Sequence, residues 1–384
     1  VALGMRIGLN AQIVSRANAG VATYASNVIR DLMLLESRHE FYVFGSQEFL
    51  SDLDSPRVKL LPTSTRVKGS WRRILWEQSV LPIKARRHGV EMMYYPDHTG
   101  PLIKKTCPVV ITIHDLAYLA EPQTFAMKNR MYKSFAVRRS ARLADKIIVV
   151  SEATKKECLR WLDIPESKLC VIYNGIDACF RRIEDHDTLE TTRKKFALPK
   201  KFILFVGTLE PRKNVSGLIQ AYAALKKKQR LEHDLVIVGG KGWLYSEIFA
   251  TVHNLALTNE VKFLGYVAQD DVVALYNLAE VFVYPSIYEG FGFPPLEAMA
   301  CGCPVVTSNR SSLPEVVGDA AMLVDCRDPN ALADGIYRVA SDENCRSHLK
   351  EKGMERVKLF DWQKAARQIL QVFDEVAMSS ATTS

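Results

Sequence analysis

Two carboxylates, Glu289 and Glu297, stand with seven residues between them in the run YEGFGFPPLEAMACGCP, residues 288–304. Pro294 and Pro295 exclude one continuous helix through both acids, because an interior proline lacks an amide donor and clashes with the preceding turn. The spacing predicts Glu289 on a loop leaving the strand VFVYPS. It predicts a short helix from near Pro295 to Gly302, with Glu297 in its first turn. The amides of Gly290, Phe291, Gly292 and Phe293 then crowd the positive end of that helix. Such a terminus suits a phosphate, and the flanking carboxylates suit hydroxyl groups. The competing reading is a buried loop and helix with one capping acid.

Other polar residues fit the same chemistry. Gly207 to Asn214, GTLEPRKN, follows a β-rich run and opens a helix, so Arg212 and Lys213 are adjacent cations at a natural holder for a diphosphate. Val238 to Trp243, VGGKGW, matches neither GxGxxG nor GxxxxGK[ST], which removes support from hydride transfer and ATP chemistry. Gly20 opens a helix after the loop that begins at Asn10, where backbone amides suit a phosphate. His114-Asp115 ends a buried strand at the matching rim, a position that favours function over structure.

These residues need elements to hold them. In the first half, MRIGLNA, FYVFG, VKLLP, MMYYPD, PVVITIH, KIIVV and KLCVI read as strands, and helical patterns cover 20–37, 71–88, 127–143 and 151–162. Residues 181–200, RRIEDHDTLETTRKKFALPK, are charged and short of long apolar side chains, and are expected to form an interdomain linker. The alternation then restarts with KFILFV, DLVIVGG, VKFLG, VFVYPS, PVVTS and AMLVD as strands, and ends on the helix DWQKAARQILQVFDEVAM. Strands alternating with helices imply two α/β halves with doubly wound parallel sheets, whose ligands bind at the carboxyl ends of the strands.

The chain has 384 residues, 48% of them hydrophobic and 24% charged, which suits a globular protein of two or three domains. Its eight scattered cysteines lack zinc-ligand spacing, so a reduced, cytoplasmic protein without a metal site is expected. The net charge of +8 is uneven: residues 1–174 carry 26 Lys and Arg against 16 Asp and Glu. Arginines interleave with apolar residues at 71–89 and 135–146. That face suits an anionic bilayer, an anionic substrate or nucleic acid, or is a solvated basic surface.

Taken together, these motifs resemble the retaining family-4 (group 1) glycosyltransferases of the GT-B fold. The resemblance is carried by Glu289-GFGFPPL-Glu297 with EAMACGCPVV, and by GTLEPRKN, VITIHDL, VIYNGID and the loop ending at Gly20; it covers nearly the whole chain. It implies two facing Rossmann-like domains. Residues 1–178 would form the acceptor side, with the last helix, 361–378, crossing back to it, and 179–360 would hold the nucleotide-sugar donor. By that analogy Arg212 and Lys213 hold the diphosphate, Glu297 the ribose and Glu289 the donor sugar. His114 approaches the sugar, the Gly20 loop closes on phosphate and acceptor, and Gly207, Gly290, Phe291 and Gly292 line the donor. The family generally needs no metal, and the chain lacks a DxD-like acidic motif at a strand end. No cofactor is expected beyond the donor substrate.

The resemblance further implies transfer of a hexose to a glycan or polyprenyl-linked glycan. THDLAYL and EGFGFPPLEAMACG look like bacterial mannosyltransferases, which favours GDP-mannose over UDP-glucose or UDP-N-acetylglucosamine. No second well-placed acid stands out in the first half, which favours same-face return over a covalent intermediate. The basic first half suggests peripheral contact at the inner face of an anionic membrane. A nucleotide-sugar epimerase or phosphorylase is the enzymatic rival. A nucleic-acid binder would leave 289–297 without a role, so no nucleic acid is expected.

Overall fold

Short apolar runs alternating with helices can bury both faces of a sheet only if the strands lie parallel and the helices cover them. The computed structural model of the chain does this twice. It describes residues 4–14, 20–51, 53, 58–63, 70–103, 105–125, 127–228 and 231–381. The chain forms two compact units, Val1–Gly175 with Asp361–Ser384, and Ile176–Phe360.

The first unit runs β1 (Arg6–Asn10), α1 (Val21–Leu34), β2 (Glu40–Ser46), α2 (Gln47–Ser51), β3 (Val58–Thr63), α3 (Ser70–Arg87), β4 (Met92–Tyr95), β5 (Val109–Ile113), α4 (Ala117–Ala120), α5 (Met127–Leu143), β6 (Lys146–Val149), α6 (Glu152–Trp161) and β7 (Leu169–Val171). Among the described residues seven parallel strands pair in the order β3-β2-β1-β4-β5-β6-β7. The order reverses between β1 and β4. Every residue of β4 and β5 is buried, as central strands covered on both faces require. Helix α1 lays a stripe of Ala22, Ala25, Val28, Ile29 and Leu32 on the core at helical spacing.

The second unit runs α7 (His186–Lys195), β8 (Phe202–Val206), α8 (Val215–Lys227), β9 (Asp234–Val238), α9 (Ser246–Asn254), β10 (Val261–Gly265), α10 (Gln269–Leu278), β11 (Val281–Tyr284), α11 (Phe293–Ala300), β12 (Val305–Ser308), α12 (Leu313–Val317), β13 (Met322–Val324), α13 (Pro329–Ser341) and α14 (Glu343–Val357). Six described parallel strands pair as β10-β9-β8-β11-β12-β13, reversing between β8 and β11.

The stretch 181–200 is not a linker. It contains α7, capped by Asp185, whose side chain accepts the Asp187 amide, and α7 packs on α10. Ahead of the helix, Asn277 accepts the Ile183 amide and donates to the Arg181 carbonyl. Thr192 is the one buried residue of the helix, so its attachment leaves no apolar periodicity to read.

The last helix, α15 (Trp362–Ala381), belongs to the first unit. It packs along α1, and Phe373 meets Tyr94 edge-on at 5.3 Å. Lys146 anchors its far half through Glu375 at 3.0 Å. Where the chain leaves the first unit, Gly175 lies so close to Trp362 that an added Cβ would stand 2.2 Å from the Trp362 amide nitrogen. One residue on, the Ile176 amide donates to the Phe360 carbonyl at 3.2 Å.

Candidate active site

The strand order reverses between β8 and β11, and the carboxyl ends of the strands at such a reversal are the usual ligand position in these sheets. Gly207 leaves β8 there, and an added Cβ would meet the Phe205 ring at 3.3 Å and the Tyr284 ring at 3.6 Å. Beyond it a 3₁₀ turn, Pro211–Lys213, carries Arg212 and Lys213, and Asn214 adopts left-handed geometry (φ 54°) before α8 begins. The two cations therefore precede the helix rather than sit on it.

They are also not free. Glu289, on the loop leaving β11, accepts at Oε1 from Lys213 Nζ at 2.5 Å, from the Tyr284 hydroxyl at 2.9 Å and from Ser286 Oγ at 2.6 Å. Its Oε2 pairs with Arg212 Nη1 at 2.9 Å. Arg212 Nη2 donates to Glu210 Oε1 at 2.6 Å, and Nη1 to the Tyr288 carbonyl at 2.7 Å. A buried Lys213 and a half-buried Arg212 thus face two buried carboxylates, the arrangement that tolerates charge away from water. Burial would raise the Glu289 carboxyl, but Arg212 and Lys213, with hydrogen bonds from Lys213 and Ser286, outweigh it and hold it at about 2. Burial, with help from Arg212, pulls the Lys213 ammonium below its ordinary value. Burial raises Glu210 despite Arg212 and Lys213.

The loop carrying Glu289 is pinned from behind. Ser311 Oγ accepts the Glu289 amide at 2.9 Å, and Ser312 Oγ bonds the carbonyls of Glu289 and Phe291, each at 2.9 Å. Gly290 and Phe291 are buried, and Phe291 packs edge-on against Phe293 and Phe360. Gly292 has φ 100°, and a Cβ there would stand 2.7 Å from Leu313 Cδ2, so only glycine fits.

Helix α11 starts at Phe293, two residues before the position expected, with proline inside its first turn, where a missing donor costs nothing. Glu297 is consequently its fifth residue, beyond the first turn. It accepts from the Tyr276 hydroxyl at 3.0 Å, and burial pushes its carboxyl up to about 7. The two acids are thus shifted in opposite directions, Glu289 down by its cations and Glu297 up by burial.

The first unit carries a second polar cluster at its own strand-order reversal. Asn10 at the end of β1 donates to Glu77 Oε1 at 2.9 Å. Arg73 Nη2 donates to Asp97 Oδ2 at 3.3 Å, and the Asp97 Oδ1 accepts the His98 amide at 2.7 Å. His114 follows β5, with Nε2 3.1 Å from the Pro96 carbonyl, so Nε2 carries the proton and Nδ1 is left as acceptor. Burial and neighbouring His98 lower His114 to about 4, which keeps the ring neutral. Burial would raise Asp97, but His98, Arg73 and His114 together bring it below the ordinary value. Burial lifts Glu77 to about 7.

Asp97 therefore follows the end of β4, and Glu77 reaches the same place from α3 through Asn10; neither acid was singled out from the sequence. The signal was present in MMYYPDH, where Pro96-Asp97-His98 ends a strand. Gly20 sits at the N-terminus of α1 with φ 74°. The rest of its loop, residues 15–19, lies outside the described residues.

Residues 19–179 match the family model "Glycosyltransferase Family 4", and residues 189–356 match "Glycosyl transferases group 1". The chain belongs to the family-4, group 1 glycosyltransferases. Its fold is GT-B. This glycosyltransferase is 29% identical to O-antigen chain mannosyltransferase B of Escherichia coli, over 92% of its own length and 95% of the relative's. It is 29% identical to the serotype-specific mannosyltransferase WbdA of Escherichia coli over 71% of its length, which spans 34% of that longer protein. Among solved structures, Anabaena Alr3699/HepE in complex with UDP and glucose superposes with a TM-score of 0.75 at 20% identity, covering 97% of the glycosyltransferase and all of that chain.

Proposed function

We propose that this glycosyltransferase transfers mannose from GDP-mannose, with retention of anomeric configuration, to a glycan or lipid-linked glycan. The observation that carries the reading is the Arg212–Lys213 pair held by Glu289 at the strand-order reversal of the second unit. A donor diphosphate supplies the negative charge that Glu289 and Glu210 supply in its absence, and it takes over part of the cations' hydrogen bonding. As the bond from the anomeric carbon to the phosphate oxygen breaks, its electron pair passes to the diphosphate, where the fixed cations stabilise it. The acceptor hydroxyl attacks the same face and its proton passes to the departing phosphate oxygen. Glu289 meets sugar hydroxyls, Glu297 meets the ribose, and His114 offers an uncharged ring to the sugar. In this reading the second unit binds the donor and the first the acceptor, with Gly20, Gly207, Gly290, Phe291 and Gly292 shaping the phosphate and sugar positions.

Mannose is favoured by the mannosyltransferases among the relatives. The same residues could serve UDP-glucose or UDP-N-acetylglucosamine, and a thermal-shift panel separates the donors. A nucleotide at a hundred times its Kd stabilises the fold by about 2.7 kcal/mol. GDP and GDP-mannose are expected to stabilise the chain. Stabilisation by UDP but not GDP would overturn the mannose reading. Nucleotide release that needs an acceptor would exclude an epimerase.

The proposal includes peripheral contact with an anionic membrane, prompted by the charge of the first half. Among the described residues no helix is long and apolar enough to cross one. Anionic liposomes should retain the protein at low salt and release it at high salt.

A further inference from the structure

Apart from both polar clusters, the first unit holds a cavity of about 550 Å³ beside α4 and α5. Tyr118 and Leu119 of α4 line it from one side, and Arg130, Met131, Phe135 and Arg138 of α5 from the other. On α5 these side chains fall into two neighbouring stripes at helical spacing. Arg130 and Arg138 lie eight residues apart on one, and Met127, Met131 and Phe135 follow the other. The apolar stripe is left in water, with Met127 70%, Met131 66% and Phe135 62% exposed. A row of large apolar side chains open to solvent marks an interaction site more often than a resting surface.

Neither Arg130 nor Arg138 forms an ion pair with a described carboxylate, whereas Arg212 in the second unit holds two. Tyr118 is 3% exposed, yet its hydroxyl has no hydrogen-bond partner among the described residues. Burial raises the phenol, so it stays protonated and able to donate. A buried donor without an acceptor costs free energy that a ligand oxygen would recover.

The geometry points to a lipid phosphate, an isoprenoid or acyl chain esterified to phosphate, seated in the α4–α5 cavity. Its chain covers Leu119, Met131 and Phe135. Its phosphate meets Arg130 and Arg138 and accepts from the Tyr118 hydroxyl. A free sugar or a nucleic-acid strand would leave Met131 and Phe135 uncovered. Tyr118 stands four residues beyond His114, so the site lies on the segment that leaves the β5 rim. The inference deepens the proposed transfer to a lipid-linked glycan and rests on that reading for its purpose. Lipid binding itself requires no donor.

Isothermal titration of the full chain with farnesyl phosphate, below its micelle concentration and without nucleotide, tests it. Saturable binding is expected, weakened about tenfold in Arg138→Gln, which removes a charge-assisted hydrogen bond. Similar loss is expected in Met131→Glu, and a smaller one in Tyr118→Phe. Thermal stabilisation by GDP should be unchanged in all three variants, which shows that they are folded. Equal binding of farnesol would leave the arginines without a role. Equal competition by inorganic phosphate would make this a free-phosphate site. Unaltered titration of all three variants would place the lipid elsewhere, and any of these outcomes overturns the proposal. Farnesyl phosphate binding in a protein that transfers no sugar would instead sink the transfer reading and leave the site standing.

Discussion

Lys213 Nζ lies 2.5 Å from Glu289 Oε1, a buried ion pair between residues 76 positions apart in the chain. It joins the loop after β8 to the loop after β11 across the strand-order reversal, so the carboxylate and the cation that are proposed to meet the donor first hold each other.

Replacing either partner should separate the two roles. Glu289→Gln keeps the hydrogen-bonding shape but leaves Arg212 and Lys213 with Glu210 alone. Losing one charge from a buried pair costs about 3–5 kcal/mol when nothing compensates, so the variant should melt at lower temperature. Turnover should fall roughly 10²-fold while nucleotide affinity stays nearly intact. Lys213→Ala should weaken both. Equal loss of nucleotide binding in the two variants, measured by titration, would contradict the division.

Ser312 should matter although it is not among the residues proposed to meet the donor. Its hydroxyl serves the carbonyls of Glu289 and Phe291, and it is fully buried. Ser312→Ala leaves buried carbonyls without that partner, at about 1–3 kcal/mol for an unsatisfied group. The expected outcome is a lower melting temperature and a fall in kcat larger than the change in nucleotide affinity. A variant indistinguishable from wild type in both would show that the loop holds its shape without this anchor.

Acid stability carries a signature of Glu297. Its carboxyl is raised from an ordinary 4.5 to about 7, so the folded chain binds that proton more tightly than the unfolded chain does. The stabilisation is fully present below the unfolded value and is lost as pH rises through about 7. Glu77 acts in the same sense. His114 opposes them, since its lowering from 6.5 to about 4 makes stability rise with pH over that interval. The difference between wild type and Glu297→Gln isolates the carboxyl. Between pH about 5 and about 7.5 the wild type should lose stability relative to the variant, and parallel melting curves would refute the assignment.

Much of the architecture was legible because it depends on local patterns. The apolar runs of β5, β8 and β11 and the Gly302–Pro304 stop after α11 read directly as elements. Asn10, Pro96-Asp97 and His114 close strands at sites that short-range reading could reach, yet only a folded sheet shows that they meet. The cage around Glu289 was not legible. Arg212 and Lys213 read as open cations because nothing near them in sequence shows that a residue from the loop after the neighbouring strand β11 neutralises them. Ser312 was invisible for the same reason, and α7 because its attachments to Asn277 are polar and distant in the chain.

The polypeptide crosses from one unit to the other twice, and both crossings lie together, with Gly175 pressed against Trp362 and Ile176 bonded to Phe360. Within the gene, the second unit is an insert whose two ends are already joined. A fragment encoding Ile176–Phe360 can be exchanged between relatives at two cut points one hydrogen bond apart, with α15 left to its original partner. The nucleotide preference proposed for that unit should travel with it as a cassette.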